Sequence, residues 1–204
     1  IMPLTEEYNG TSWSEQNDMG TARYIAAGFG IQTAAVAVGG GPSNGNATEH
    51  YDGSSWTSSN NYPINIYALG GCGTQTAGLG CGGYSPGTPG PAGRKTITGE
   101  YDGSSWTTGG SLVQAVDGGF VSGSQTDAVF FGGSTGSLSD QAQKYDGTSW
   151  VTSASLANAR NSLAGSGTTG ASAFAAGGGT PNSNSTEEFT GQTSALNIKT
   201  ITTS

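Results

Sequence analysis

Thr48-Glu49-His50-Tyr51-Asp52-Gly53-Ser54-Ser55-Trp56 is the stretch on which the fold turns, because the chain writes it five times. Close copies stand at Thr5 to Trp13 (TEEYNGTSW), Thr98 to Trp106 (TGEYDGSSW) and Ala142 to Trp150 (AQKYDGTSW), and a degenerate copy at Thr186 to Ser194 (TEEFTGQTS). The aromatic anchors Tyr8, Tyr51, Tyr101, Tyr145 and Phe189 are 43, 50, 44 and 44 residues apart. A fixed period of that length marks one supersecondary unit stacked repeatedly. Within the motif, Asp-Gly between two β-prone segments predicts a hairpin, since Gly accepts positive φ without a Cβ clash.

Between the copies lies a second repeated element. Arg23 to Gly40 (RYIAAGFGIQTAAVAVGG) returns around Tyr67 to Gly83, Val116 to Gly133 and Ala159 to Gly178, each time ending in Gly-Gly. Its Gly and Ala suit strands whose backbones converge on an axis. Ala26 to Gly30 is expected to turn through Ile31-Gln32-Thr33 into a strand of Ala and Val. Each unit therefore reads as two hairpins, an inner one of small residues and an outer one running from Tyr to Trp. Variable loops follow the Gly-Gly pairs, at 41–47, 84–93, 134–140 and 179–185, and are where contacts with other molecules are expected.

Four strands to a unit, repeated radially, predict an all-β propeller of four to five blades of four antiparallel strands, in a single domain. The repeats span approximately 1–14, 15–57, 58–107, 108–151 and 152–204. Five outer hairpins but four inner ones are counted. Five blades are expected, with Ala195 to Thr202, which alternates apolar and polar residues, completing the blade begun by Leu4 to Ser14. The alternative is that a neighbouring molecule finishes the incomplete blade.

A strand ending in Gly-Gly, a loop, then Tyr a few residues before Trp resembles the kelch motif across essentially the whole chain, with a shorter Tyr-to-Trp interval and more Gly and Ser than the commonest form. The compact variant also resembles repeats of phage virion proteins and of uncharacterised extracellular proteins. That resemblance implies a structural or display role in a virion tail, fibre, capsid decoration or extracellular filament.

Composition narrows the partners. The 204 residues include 37 Gly, 6 Lys plus Arg and 14 Asp plus Glu, giving a net charge of −8. Such a surface repels nucleic acid and anionic membranes. No apolar run approaches the roughly 20 residues of a membrane-spanning helix. The first residue is Ile1 rather than Met, so upstream residues, and an export signal with them, are expected to have been removed or omitted.

The chemistry-bearing residues are few. His50, the single histidine, aligns with Glu7, Glu100, Lys144 and Glu188, which reads as a solvated strand face rather than a catalytic or metal site. Kelch-like copper oxidases need a pair of histidines. Asp52, Asp102 and Asp146, with Asn9, read as turn residues before a calcium ring. Cys72 and Cys81 align with Phe29 and Val38, and read as small buried hydrophobes or as a disulfide out of register by about three residues.

Trp13, Trp56, Trp106 and Trp150 recur once per unit and are expected to pack between blades rather than to stack sugars. Arg23 and Arg160 are expected to bind a carboxylate or carbonyl. Asn9, Asn46 and Asn184 begin N-glycosylation patterns. No enzyme, cofactor or metal is expected. The leading expectation is a structural or display protein contacting protein subunits; the alternative is a carbohydrate-binding adhesin. Tyr84, among the off-repeat aromatics Tyr62, Tyr84 and Phe120, with Asn44 and Asn182 in the loops, are the candidate contact residues.

Overall fold

The computed structural model describes residues 2–41, 45–87, 93–179, 183–191 and, as backbone, 198–201. An isolated hairpin comes first, β1 (Thr5–Tyr8) with β2 (Trp13–Gln16). Four antiparallel sheets follow. Blade 1 holds β3 (Ala27–Ile31), β4 (Ala34–Val38), β5 (Thr48–Tyr51) and β6 (Trp56–Ser59). Blade 2 holds β7 (Gly70–Thr74) and β8 (Ala77–Cys81), followed, after a small loop hairpin of β9 (Tyr84–Ser85) and β10 (Gly93–Arg94), by β11 (Thr98–Tyr101) and β12 (Trp106–Thr108). Blade 3 comprises β13 (Phe120–Ser124), β14 (Asp127–Phe131), β15 (Ala142–Tyr145) and β16 (Trp150–Ser153). Blade 4 comprises β17 (Ala164–Thr169), β18 (Ser172–Ala176), β19 (Thr186–Phe189) and β20 (Ile198–Ile201). The molecule is a β-propeller of four complete blades.

The expected closure of a fifth blade by both termini is corrected by the pairing. β20 hydrogen-bonds to β19, Phe189 opposite Ile198, and so supplies the outer strand of its own blade. The reason is the outer hairpin itself: Thr186 to Phe189 requires the partner that Tyr51 finds in Trp56 and Tyr145 in Trp150. β1 and β2 are left as a two-stranded outer half-blade.

Local chemistry explains four of the outer turns. Asp52 Oδ1 accepts the Ser54 and Ser55 amides at 2.9 and 2.8 Å, and Asp102 and Asp146 repeat the pattern, as does Asn9 with Thr11 and Ser12. The following Gly53 sits at φ 90°, which a Cβ would strain.

The core lies between blades rather than within them. Phe29, Val36, Val38, Tyr62, Ile66 and Tyr101 fill the boundary of blades 1 and 2; Leu79, Val121, Phe130, Tyr145 and Trp150 that of blades 2 and 3; Phe131, Leu163 and Ala175 that of blades 3 and 4. Glycine makes the approach possible: a Cβ on Gly78 of blade 2 would stand 2.2 Å from Cε2 of Phe29 in blade 1. The inner strands β3, β7, β13 and β17 line an axial cavity of about 200 Å³.

Backbone bonds then lock each blade to its neighbour. Gly40 N–H donates to Ile66 O, Gly83 N–H to Val116 O and Gly133 N–H to Arg160 O, each at 2.8 Å. Nearer the axis, Ala68 N–H donates to Ile25 O, Gly118 N–H to Ala68 O and Ser162 N–H to Gly118 O, at 2.8 to 2.9 Å. All four residues of this belt hold positive φ, between 51 and 65°, although only one is glycine.

Candidate functional site

The side chains singled out from the sequence converge on the blade boundaries. Trp56 Nε1 donates to Thr5 Oγ1, Trp106 Nε1 to Thr48 Oγ1 and Trp150 Nε1 to Thr98 Oγ1, at 2.8 to 2.9 Å, so each indole is bonded to the blade before its own. In blade 4 the Trp position is Ser194, outside the described residues, and the Thr position that would be its partner in blade 3 is Ala142. Trp56, Trp106 and Trp150 thus pack between blades, as their spacing predicted, whereas Trp13 does not: with no complete blade before it among the described residues, it is 67% exposed.

His50 requires a correction. It is half-buried, and its Nε2 meets the Tyr101 hydroxyl of blade 2. The same strand position carries Glu100, which accepts the Tyr145 hydroxyl of blade 3, and Glu7, which faces Tyr51 of blade 1. Where the next aromatic is Phe189 and has no hydroxyl, the position holds Lys144, which pairs with Asp127 at 3.5 Å instead. The variety of residues that suggested a solvated face is therefore a code for the neighbouring blade. Burial lowers the His50 pKa, so at neutral pH it is an uncharged hydrogen-bonding group. Tyr145 is pushed upward by burial and then by Glu100, and keeps its proton.

Arg23 and Arg160 are buried, as are their partners. Arg23 forms an ion pair with Glu49 and donates to Gly39 O and Ala47 O, both at 2.9 Å; Arg160 pairs with Glu187 at 2.8 Å and donates to Gly177 O and Ser185 O. The same carboxylates hold the segment leading into each blade: Glu49 accepts the Gly20 and Thr21 amides, and Glu187 the Ala157 amide. In blade 3, Gln143 takes the carboxylate's place and accepts the Val113 amide at 2.6 Å, with Val116 replacing the arginine.

Blade 2 solves the same problem without charge. Ile66 stands for the arginine and Gly99 for the glutamate, and the buried Tyr62 fills the space; a Cβ on Gly99 would meet its ring at 2.6 Å. Tyr62 is thereby core, not a contact residue. Phe120 is half-buried against Phe131, ring centroids 5.8 Å apart.

Cys72 and Cys81 are free, buried thiols opposite Leu79 and Gly70 respectively, rather than opposite each other. Burial pushes Cys72 up to about 12 and Cys81 well above its ordinary value, which leaves both protonated. Tyr84 opens β9, half-buried, its ring centroid 5.4 Å from that of Tyr67. The adjoining Arg94 ties this hairpin to blade 3 through Asp117, at 2.6 Å. Asn44 and Asn182 lie outside the described residues.

The chain matches no protein-family model and none of the curated proteins with which it was compared. The class of the molecule, a β-propeller, thus rests on its own strand pairing and repeat.

Two outcomes follow. Replacing Glu49 by Ala leaves Arg23 buried without its counter-ion and should cost about 3–5 kcal/mol in denaturant unfolding. The triple change Met19→Tyr, Arg23→Ile, Glu49→Gly, which copies blade 2, should recover most of that loss. The second concerns acid. Bonds from the Ser or Thr amides hold Asp52, Asp102 and Asp146 below the usual carboxylate range, so their contribution is present above the unfolded pKa of about 3.9 and fades as pH falls through the folded values. Thermal midpoints of the wild type and of Asp52→Asn/Asp102→Asn/Asp146→Asn should therefore converge below about pH 4.

Proposed function

We propose that this protein is a kelch-like propeller with a non-enzymatic structural or display role, carried on a virion (tail, fibre or capsid decoration) or an extracellular filament. Its loops contact neighbouring subunits or a host surface. One observation carries the reading: the groups that could do chemistry are engaged in holding the blades and their turns together. His50 bonds a tyrosine of the next blade, both buried arginines are paired with a carboxylate and with carbonyls, and the three turn aspartates bind their own backbones. The Gly-Gly, loop, Tyr, Trp order supports the kelch type. A low-charge, Gly/Ser-rich surface of net charge −8 suits a module exposed outside a cell. The expected result is recovery of this chain in stoichiometric amount from purified particles or washed filaments by mass spectrometry. Recovery from the intracellular fraction alone sinks the reading.

A carbohydrate-binding adhesin is the second reading, favoured by tyrosines gathered at one rim. Tyr67 lies beside Tyr84, with Tyr24 close enough to influence its ionisation, and Tyr24 is exposed. Aromatic faces with hydroxyl tips suit pyranose rings. This reading expects glycan-array signal from the wild type that disappears in Tyr24→Ala/Tyr84→Ala; equal signal from both proteins overturns it.

A further inference from the structure

The residue just before each member of the positive-φ belt has a side chain that the repeated frame does not use. These residues are Tyr24, Tyr67, Asp117 and Asn161, one from each blade, and the position before them (Arg23, Ile66, Val116, Arg160) is buried in every case. The belt sets them side by side. Because Ala68 N–H donates to Ile25 O, Gly118 N–H to Ala68 O and Ser162 N–H to Gly118 O, the residues preceding these follow one another from blade 1 to blade 4. Their backbones are fixed alike by the residue after each Gly-Gly pair: Gly41, Tyr84, Ser134 and Gly179 N–H donate to the carbonyls of Tyr24, Tyr67, Asp117 and Asn161, at 2.7 to 3.1 Å. A position whose backbone is held the same in all four blades, while its side chain changes from aromatic to acid to amide, is where a rigid scaffold carries recognition.

The row has an aromatic half and a polar half. Tyr24 is 43% exposed, with its hydroxyl end against Gly41, where a Cβ would stand 2.8 Å from its Oη. Tyr67 comes next, half-buried, with the Tyr84 ring beside it. Burial first, then Tyr84, Tyr24 and Asp117, raise the Tyr67 pKa, so its hydroxyl keeps its proton. The polar half begins at Asp117. Its Oδ1 accepts from Arg94 Nε, and Arg94 also donates to Ser134 O and Ser134 Oγ, at 2.8 and 3.0 Å. The second oxygen of Asp117 and the side-chain amide of Asn161 make no hydrogen bond among the described residues, although both residues are half-buried.

That combination matches one ligand chemistry. A pyranose offers a face of C–H bonds to an aromatic ring and a rim of hydroxyls that both donate and accept, for which a carboxylate oxygen and an amide are suitable partners. Charge then selects among sugars. An acidic glycan needs a cation whose charge is not already spent, but Arg94 lies 2.6 Å from the Asp117 carboxylate, Arg23 and Arg160 are buried in ion pairs, and the chain carries a net charge of −8. Such a surface disfavours sialylated or sulfated ligands.

We propose that the row Tyr24, Tyr67, Asp117 and Asn161 is a binding site for a neutral oligosaccharide, whose pyranose faces stack on the tyrosines and whose hydroxyls are read by Asp117 and Asn161. The proposal rests on the reading as a carbohydrate-binding adhesin and adds to it the hydroxyl-reading residues and the class of sugar.

The test is an array printed with neutral oligosaccharides of glucose, mannose, galactose and N-acetylglucosamine beside sialylated and sulfated ones. The wild type should bind neutral spots only. Asn161→Ala removes a side chain that bonds nothing among the described residues, so the melting point should not move, while apparent affinity for the strongest neutral spot should fall about tenfold. Asp117→Asn keeps the shape but removes the charge that offsets Arg94; it should weaken the neutral signal and raise the sialylated one. Wild-type binding that persists undiminished in both variants, or that selects sialylated or sulfated spots, overturns this site and leaves the adhesin reading standing. No glycan signal from the wild type overturns both.

Discussion

A single blade of this molecule has almost no interior. Its two faces are covered by other blades, and the apolar side chains that hold it, Phe29 against Gly78 or Val121 against Gly70, reach across a boundary into glycine-lined space on the neighbour. Everything else depends on this division of volume, in which one blade supplies the bulk and the next supplies the vacancy. It helps a chain so rich in glycine to remain ordered, since at Gly70, Gly71 and Gly78 the space of the missing Cβ is taken by Val121 and Phe130 or by Phe29 of the adjacent blade. It also explains why the polar side chains point sideways. The Trp-to-Thr, Tyr-to-Glu or His and Gln-to-carbonyl bonds are cross-boundary pairs that fix how far and in what register two blades meet.

The repeat made the blades legible because hairpin chemistry is local. Asp-Gly between Tyr51 and Trp56 predicts its turn wherever it occurs, and the strands begin and end where the aromatic anchors stand. Trp packing was legible too, from constancy of spacing. The partner of a side chain in another blade was harder to see. His50 was misread because its column contains Glu, His and Lys, and only the structure shows that the column is matched to another one repeat later: Glu or His before a tyrosine, Lys before Phe189. Reading columns in pairs across one period, rather than singly, would have exposed the match.

The Arg23 and Glu49 pair shows a similar limit. Each residue alone signals little, and neither has an equivalent in blades 2 and 3. Tyr62 with Gly99 and Gln143 with Val116 are instead alternative fillings of one space, two of which need no buried ion pair. A buried pair of this kind confers little net stability over an apolar filling. Its carbonyl bonds hold the loop after Gly-Gly against the lead-in segment. Ring closure was legible only as an unequal number of outer and inner hairpins, five and four, because period and turn chemistry say nothing about which strand a terminal segment will choose.

The belt of positive-φ residues gives the arc a direction. Every bond in it runs the same way, N–H of the later blade to C=O of the earlier, so among the described residues the series starts with the Ile25 N–H and finishes with the Ser162 C=O. The two ends of the arc are chemically unlike, as the two ends of a helix are. A two-fold symmetric pairing of molecules through either end would set donor against donor or acceptor against acceptor. Contact between unlike ends matches donor to acceptor, whether molecules follow one another head to tail or face each other across a two-fold axis that sets each donor end on the other's acceptor end.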